Sequence, residues 1–260
     1  MLLQRATWLH LRLPFSFLLM PVFWFGAALV PPPMPWGSLA LMFFILHGLV
    51  YPASNAFNSY YDRDEESIGG LEKPPPVSKE LLWTAQTLDG LALLLSLGIN
   101  MGFMWSVLAY ILVSRAYSYD KIRLKKLPIT SWLVVGFFQG GFIVLSVVGG
   151  LTAWNSYHLL QGEVFGAIGL STLMFWGSYP MTQVYQHQED ARRGDRTISR
   201  LLGIRGTFLF TLTVFGLAVL AYTVYFFPSD IITGACFCNG AWAGIGIFPK
   251  LARIGLAYPP

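Results

Sequence analysis

Four polar residues follow one another at intervals that a helix would place on one face. Asn55, Asn58, Asp62 and Glu66 are three, four and four residues apart, and side chains at such intervals lie one above another on a helix. Their oxygen atoms, with no Cys or His among them, suit a hard cation such as Mg²⁺, which keeps water ligands and binds substrate phosphate oxygens. The pattern predicts a metal site at Asn58, Asp62 and Glu66; a solvated helix end is the alternative.

A second polar cluster occurs late in the chain. Gln186 and Asp190 are again four residues apart, so they would continue one face of a helix. Glu189 and Asp195 are either further ligands or exposed neighbours. Two acidic helix ends can hold two metal ions, or one metal ion and a water network, on either side of one polyanion. We therefore expect Gln186 and Asp190 to complete the metal site.

Basic residues between the two clusters supply a partner for such a polyanion. The segment that begins at Tyr117 contains Lys121, Arg123 and Lys125. Lysine and arginine are the usual partners of phosphate oxygens, and a tyrosine hydroxyl adds a hydrogen bond. The segment therefore predicts phosphate binding; ordinary anchoring at a membrane surface is the alternative.

The composition indicates a membrane protein. Of the 260 residues, 55% are hydrophobic and 12% are charged, and the mean hydropathy is +0.55. A soluble chain of this length could not bury so much apolar surface in one core. Stretches long enough to cross a hydrocarbon layer of ~30 Å predict eight crossings: Leu13–Pro31, Ser38–Phe57, Leu81–Leu97, Phe103–Tyr119, Ile129–Gly150, Val164–Val184, Gly206–Phe227 and Ile231–Phe248.

Basic residues mark one side of the predicted bundle. All 17 lysines and arginines fall in segments on that side, and the loops on the other side contain none. Because basic residues resist translocation, we place both termini in the cytoplasm, together with three motif loops at residues 58–80, 115–128 and 185–205. We expect an integral protein of a bacterial or archaeal plasma membrane.

The predicted fold class is an all-α polytopic membrane protein with about eight transmembrane helices. Residues 1–260 form one transmembrane domain, and two similar four-helix halves, residues 1–127 and 128–260, surround a central cavity. Asp89 falls inside the third crossing, where a carboxylate is costly and usually has a partner or a function. The alternative is that Asp89 sits near the interface.

The motifs together resemble those of the UbiA superfamily of intramembrane prenyltransferases. The run from Asn58 through Asp62 to Glu66 is similar to the first aspartate-rich motif of that family. Tyr117 and Lys121 match its Tyr-x3-Lys element, and the segment from Gln186 to Gly194 resembles its second motif. The resemblance implies a helical bundle whose cavity opens laterally to lipid and is capped by cytoplasmic loops.

The resemblance also implies a function. Mg²⁺ held by the two acidic motifs would bind an isoprenyl diphosphate, and the prenyl group would pass to an aromatic or lipid-like acceptor, with no nucleic acid involved. The catalytic residues would be Asp62, Asp190 and Lys121. The diphosphate would be bound by Tyr117, Lys121, Arg123, Lys125 and Asn55. The metal ligands would be Asn58, Asp62, Glu66, Gln186 and Asp190.

The sequence departs from the family pattern at three places. Glu66 and Gln186 stand where the family usually has Asp, so the first keeps the charge on a longer arm and the second loses it. The family commonly has nine helices, whereas eight are predicted here. Two alternatives stay open: a transporter, with Asp89, His47 and Gln86 as interior candidates, and a degenerate relative that binds a prenyl diphosphate without turnover.

Overall fold

The structure, a computed structural model, describes residues 4–63, 65, 67–69 and 71–227. Within these ranges the regular structure is helical, apart from one isolated bridge between Ile68 and Leu71. The helices are α1 (Arg5–Ala27), α2 (Trp36–Asp62), α3 (Lys79–Ser96), α4 (Met101–Ser118), α5 (Pro128–Leu151), α6 (Gly162–Ser178), α7 (His187–Arg193) and α8 (Ile198–Phe226). The connections include a helical turn at Ser156–Leu159 and two 3₁₀ helices at Leu124–Lys126 and Tyr179–Gln186.

The first seven predicted crossings coincide with α1 to α6 and α8. Four of these helices, α1, α2, α5 and α8, are long and apolar enough to cross a membrane. The sixth crossing is shorter than predicted because α6 ends at Ser178 and a 3₁₀ helix follows, in which Pro180 has no backbone N–H to donate. The predicted crossing Ile231–Phe248 lies outside the described residues. The all-α prediction is confirmed for the described chain, whereas the division into two four-helix halves stays a prediction.

Two of the long helices are interrupted in ways that the sequence explains. In α1, Arg12 has a left-handed backbone with φ 47°, and Pro14 restarts the helix. In α2, a π-helical stretch covers Phe44–Val50 and ends two residues before Pro52, whose missing N–H prevents the regular helical bond. The helix then runs on to Asp62, so its last turns carry the first motif.

The core of the bundle is formed by close contacts among α1, α2, α4 and α5. Phe23, Met42, Phe103 and Val144 are completely buried there. Gly26 allows α1 to approach α5, since a Cβ at this position would lie 3.0 Å from the Val147 side chain and 3.3 Å from backbone atoms of Val144. Lipid tails are as apolar as these side chains, so the bundle depends on packing and on hydrogen bonds between helices.

Turns at one end of the bundle end the helices that carry the motifs. Arg63 ends α2 with φ 48°, Arg123 turns the α4–α5 loop with φ 43°, and Gly194 ends α7 with φ 71°. A non-glycine residue in this region of backbone space is uncommon and persists where surrounding contacts hold it. These turns bring the three motif segments together at what we call the motif end, defined by Asp62, Lys125 and Asp190.

Candidate active site

A cavity of about 1060 Å³ lies among α1, α2, α4, α5 and α6 and reaches the motif end. Its wall there is polar and contains residues from all three motif segments, among them Asn55, Asn58, Asp62, Tyr117, Lys125, Gln186 and Asp190. Deeper in the bundle the wall is largely apolar and includes Phe17, Trp24, Phe138 and Phe175. The cavity therefore connects a charged end to an apolar interior.

The first motif occupies the last turns of α2. Asn58 donates through Nδ2 to Asp62 Oδ2 at 2.7 Å and to Ser118 Oγ of α4 at 3.0 Å. Asn55 donates instead to the Leu11 carbonyl of α1 at 3.2 Å. All three motif residues face the cavity with the spacing expected of a helix. Glu66, the fourth predicted member, lies outside the described residues.

The second motif begins in the 3₁₀ helix and continues into α7. Gln186 lines the cavity, and Asp190 is buried with Thr197 Oγ1 donating to its Oδ2 at 3.3 Å. Burial raises the pKa of Asp190 to about 6, and the neighbouring Asp195 carboxylate acts in the same direction, while Lys125 opposes the shift. The carboxyl group is thus largely withdrawn from water.

Lys125 connects the carboxylates of both motifs. Its Nζ lies 2.9 Å from Asp62 Oδ1, 3.3 Å from Asp195 Oδ2 and 4.0 Å from Asp190 Oδ1. Burial alone would lower the pKa of Lys125, but Asp62 and Asp195 outweigh it, so its pKa stands above the ordinary value. The lysine therefore remains charged inside the protein.

Arg123 forms the second cationic contact. Its guanidinium binds Asp195 through two hydrogen bonds of 3.0 and 2.8 Å and lies 3.3 Å from Asp62 Oδ1. We call Asp62, Asp190, Asp195, Arg123 and Lys125 the motif cluster. The sequence left Asp195 undecided between ligand and exposed neighbour; the structure buries it completely, as a partner of Arg123 and Lys125.

The structure does not bring Lys121 to the cavity. Lys121 is exposed and does not line the wall, whereas Lys125 occupies the place between the two motifs. The turn at Arg123 and the 3₁₀ helix Leu124–Lys126 direct the chain inward after Lys121. Tyr117, the other half of the Tyr-x3-Lys element, does line the cavity, and its hydroxyl lies 2.7 Å from that of Tyr179.

Interior polar residues outside the motifs are placed elsewhere. Asp89 forms a buried ion pair with Arg115 of α4, so the expectation of a partner is confirmed. His47 is buried among aromatic rings, and Gln86 is exposed on α3. None of these three lines the cavity.

Two further lining residues went unnoticed in the sequence. Arg12, one of the basic residues on the predicted cytoplasmic side, lines the cavity from α1, and Ser118 faces Asn58. The left-handed turn at Arg12 was not predicted from the sequence. His187 Nε2 lies 2.7 Å from Ser199 Oγ, and His187 does not line the cavity.

The donor set of the motif end suits a hard cation. Among the described residues, no three His, Cys, Asp or Glu side chains are grouped closely enough to hold a metal ion by themselves. One carboxylate from each motif, Asp62 and Asp190, and the amides of Asn58 and Gln186 face the same space. Such an incomplete oxygen set fits Mg²⁺, which keeps waters and is bound by one or two carboxylates together with substrate phosphates.

Solved structures support the arrangement of the helices. The chain matches a UbiA homologue from Archaeoglobus fulgidus bound to DMAPP and Mg²⁺, with a TM-score of 0.67, 16% identity, and coverage of 96% of this chain and 86% of that one. The same homologue bound to GPP and Mg²⁺ gives a TM-score of 0.67 at 15% identity, with the same coverage.

A solved structure from work on digeranylgeranylglyceryl phosphate synthase in membranes is also similar. Its TM-score is 0.58 at 17% identity, and the match covers 97% of this chain and 93% of that one. A comparison with curated protein sequences finds no match. The model of the UbiA prenyltransferase family matches residues 18–253, which is most of the chain and includes every motif described above. The chain therefore belongs to the UbiA prenyltransferase family of integral membrane proteins.

Proposed function

We propose that this protein transfers a prenyl group from an isoprenyl diphosphate to a membrane-accessible acceptor in a Mg²⁺-dependent reaction. One observation carries the proposal: Asp62 and Asp190, from motifs 128 residues apart in the chain, meet around Lys125 at the polar end of an otherwise apolar cavity. The relatives bound to DMAPP or GPP with Mg²⁺ support the same assignment.

The polar end accounts for binding of the diphosphate. Asp62 and Asp190, with the oxygens of Asn58 and Gln186, would hold Mg²⁺. When bound, the metal ion supplies positive charge that neutralises the diphosphate as the bond to the prenyl carbon breaks. We assign Lys125 to the diphosphate in place of Lys121, because Lys125 is the lysine that faces the cavity. The Tyr117 hydroxyl lies in the same wall and can donate a hydrogen bond to a phosphate oxygen.

Charge stabilisation at this end is the source of rate enhancement. As the allylic carbon–oxygen bond breaks, negative charge develops on the departing diphosphate, and a preformed positive site stabilises it most strongly where water is excluded. Lys125 is held by Asp62 and Asp195 in the buried motif cluster, so it needs little reorganisation to interact with that charge. Arg123 lies behind it and keeps the buried Asp195 paired.

The apolar part of the cavity accounts for the fate of the prenyl group. The allylic cation must be protected from water until the acceptor forms the new bond and releases a proton. Rings in the wall can stabilise such a cation by about 0.5–2 kcal/mol each through cation–π attraction. Phe17, Trp24, Phe138 and Phe175 supply these rings. We propose an aromatic or lipid-like acceptor that enters from the bilayer.

The distribution of basic residues supports a cytoplasmic position for the motif end. Arg63, Lys121, Lys126 and Arg196 are exposed at or beside the motif segments, and basic residues are retained on the cytoplasmic side during insertion. An isoprenyl diphosphate would therefore reach the site with its polar group at the cytoplasmic surface and its tail in the membrane.

The test is turnover by the purified chain in lipid nanodiscs. Labelled prenyl diphosphates of several lengths would be incubated with a membrane extract as the acceptor source, in Mg²⁺ or in EDTA, with empty nanodiscs as the control. We expect Mg²⁺-dependent transfer of label to an extract component, whose mass then identifies the acceptor. Mg²⁺-dependent binding of the diphosphate with no transfer to any component would instead indicate a degenerate relative.

A further inference from the structure

Arg115 and Asp89 form a largely buried ion pair that the proposed chemistry does not use. The two side chains are 16% and 13% exposed, and neither residue lines the cavity. The sequence places Arg115 among the basic residues on the predicted cytoplasmic side, and the structure places it within α4, where it contacts Asp89 of α3. A charged pair inside a membrane bundle calls for a specific role, because desolvation makes both groups costly.

Arg115 also contacts α2, the helix that carries the first motif. Its Nη1 donates to the Ala53 carbonyl oxygen at 3.3 Å, and the guanidinium carbon lies 4.1 Å from the centre of the Phe57 ring. The planar guanidinium thus holds α2, α3 and α4 at one point. A lysine ammonium, which is a point charge without the planar fork, could not make the same three contacts.

Smaller polar contacts continue the same α2–α4 seam. Ser54 Oγ lies 2.6 Å from Ser114 Oγ, and one turn further on Asn58 donates to Ser118 Oγ at 3.0 Å. Hydrogen bonds between helices within a membrane contribute ~0.6 kcal/mol each on average, so the serines alone fix the helices weakly. Arg115 is the charged contact of this seam and lies directly before the metal-binding turns.

We propose that Arg115, held in place by Asp89, is a positioning residue that fixes the last turns of α2. Through Ala53 and Phe57 it sets the height and rotation of the helix, so that Asn58 and Asp62 face Lys125 and the second motif. Stability alone does not require the pair, since apolar residues of similar volume can replace a buried ion pair without loss. This inference rests on the proposed function, because the site being positioned is the proposed site for Mg²⁺ and diphosphate.

The test separates the geometry of Arg115 from its charge. Arg115→Lys keeps an ion pair with Asp89 but removes the simultaneous contact with Ala53 and Phe57. Binding of geranyl thiolodiphosphate, a substrate analogue that resists ionisation, would be titrated with Mg²⁺ in nanodiscs. We expect the Mg²⁺ concentration for half-maximal binding to rise about tenfold, as is typical when support for metal ligands is lost, while thermal unfolding changes little.

A second variant keeps the test valid if Arg115→Lys fails to fold. The double substitution Asp89→Leu and Arg115→Met removes both charges while keeping apolar packing, and we expect it to fold and to show the same weakened Mg²⁺ dependence. Trp132→Phe is the matched control, because it removes a partly buried interhelical hydrogen bond, from Trp132 to the Trp176 carbonyl at 2.8 Å, without touching α2. It should bind as the wild type does.

The outcomes distinguish the inference from the proposed function. If the wild type binds the analogue with Mg²⁺ and both Arg115 variants match it, Arg115 has no positioning role and the proposed function stands. If the wild type itself shows no Mg²⁺-dependent binding, the proposed function fails, and the positioning role fails with it.

Discussion

Two groups of buried charges in this protein differ in their balance and in what they face. The motif cluster has three carboxylates against two cations and borders the cavity. The Arg115–Asp89 pair has one charge of each sign and lies between helices, away from the cavity. Both groups are costly to bury, but the pair is balanced in formal charge, whereas the motif cluster has one more carboxylate than it has cations.

The difference in charge balance indicates which of the two groups would bind a cation. Burial is the main cause of the raised pKa of Asp190, and a cation that bound beside this carboxylate would stabilise its charged form. A balanced pair gains nothing from a ligand and serves the structure. Burial of charge is therefore a weaker sign of an active site than burial of unbalanced charge at a cavity wall.

The largest expected effect comes from removing a carboxylate that faces the cavity. Asp62→Ala and Asp190→Ala should each reduce Mg²⁺-dependent turnover by about 10³-fold, because several kcal/mol of transition-state charge stabilisation are lost. Initial rates in nanodiscs at saturating Mg²⁺ measure this loss. Glu72→Gln, which neutralises an exposed carboxylate, is the control and should be fully active. Full activity in Asp62→Ala or Asp190→Ala would remove that residue from the site.

The free energy of unfolding should respond more strongly to a change in the Arg115–Asp89 pair than to a change in the motif cluster. Asp89→Asn leaves the Arg115 guanidinium without its counter-charge, so we expect a loss of about 3–5 kcal/mol in the free energy of unfolding. Asp190→Asn removes part of an excess and should change the same quantity by less than about 1 kcal/mol. Denaturant unfolding in mild detergent, followed by tryptophan fluorescence, measures both. Equal losses in the two variants would mean that charge balance does not separate the two groups.

The sequence predicted the parts of this contrast that depend on local pattern. Hydropathy located seven helices, and the spacing of Asn58 and Asp62 placed them on one helix face, because both properties repeat with the helix. The partner of Asp89 could not be predicted, since Arg115 is 26 residues away and their meeting depends on how α3 packs on α4. That Lys125 and not Lys121 faces the cavity likewise depends on the left-handed turn at Arg123. No residue type in that loop predicts this turn.

The two lysines of the α4–α5 loop allow that choice to be tested with matched substitutions. Lys125→Met should weaken binding of geranyl thiolodiphosphate by roughly 30-fold, which corresponds to about 2 kcal/mol for the loss of a buried charged contact. Lys121→Met, an identical change at an exposed position four residues earlier, should leave the dissociation constant unchanged. Titrations at fixed Mg²⁺ measure both. A larger effect at Lys121 would restore the family's Tyr-x3-Lys element as the binding element in this chain.

The smallest expected effect concerns the residue that departs from the family pattern in the second motif. Gln186 lines the cavity near Asp190 but brings no charge. Gln186→Asp adds a carboxylate to a site that already favours cations, and metal affinity rises with the charge of the ligand set. We expect the Mg²⁺ concentration for half-maximal binding of the analogue to fall by about three- to tenfold.

The neighbouring Gln188 supplies the control for this change. Gln188→Asp introduces the same charge two residues further along, but Gln188 is exposed and does not line the cavity. If both variants lower the Mg²⁺ requirement equally, the gain reflects a general negative potential near α7. If only Gln186→Asp lowers it, the position of the side chain is decisive, and the excess negative charge that distinguishes the motif cluster from the Arg115–Asp89 pair acts through direct coordination.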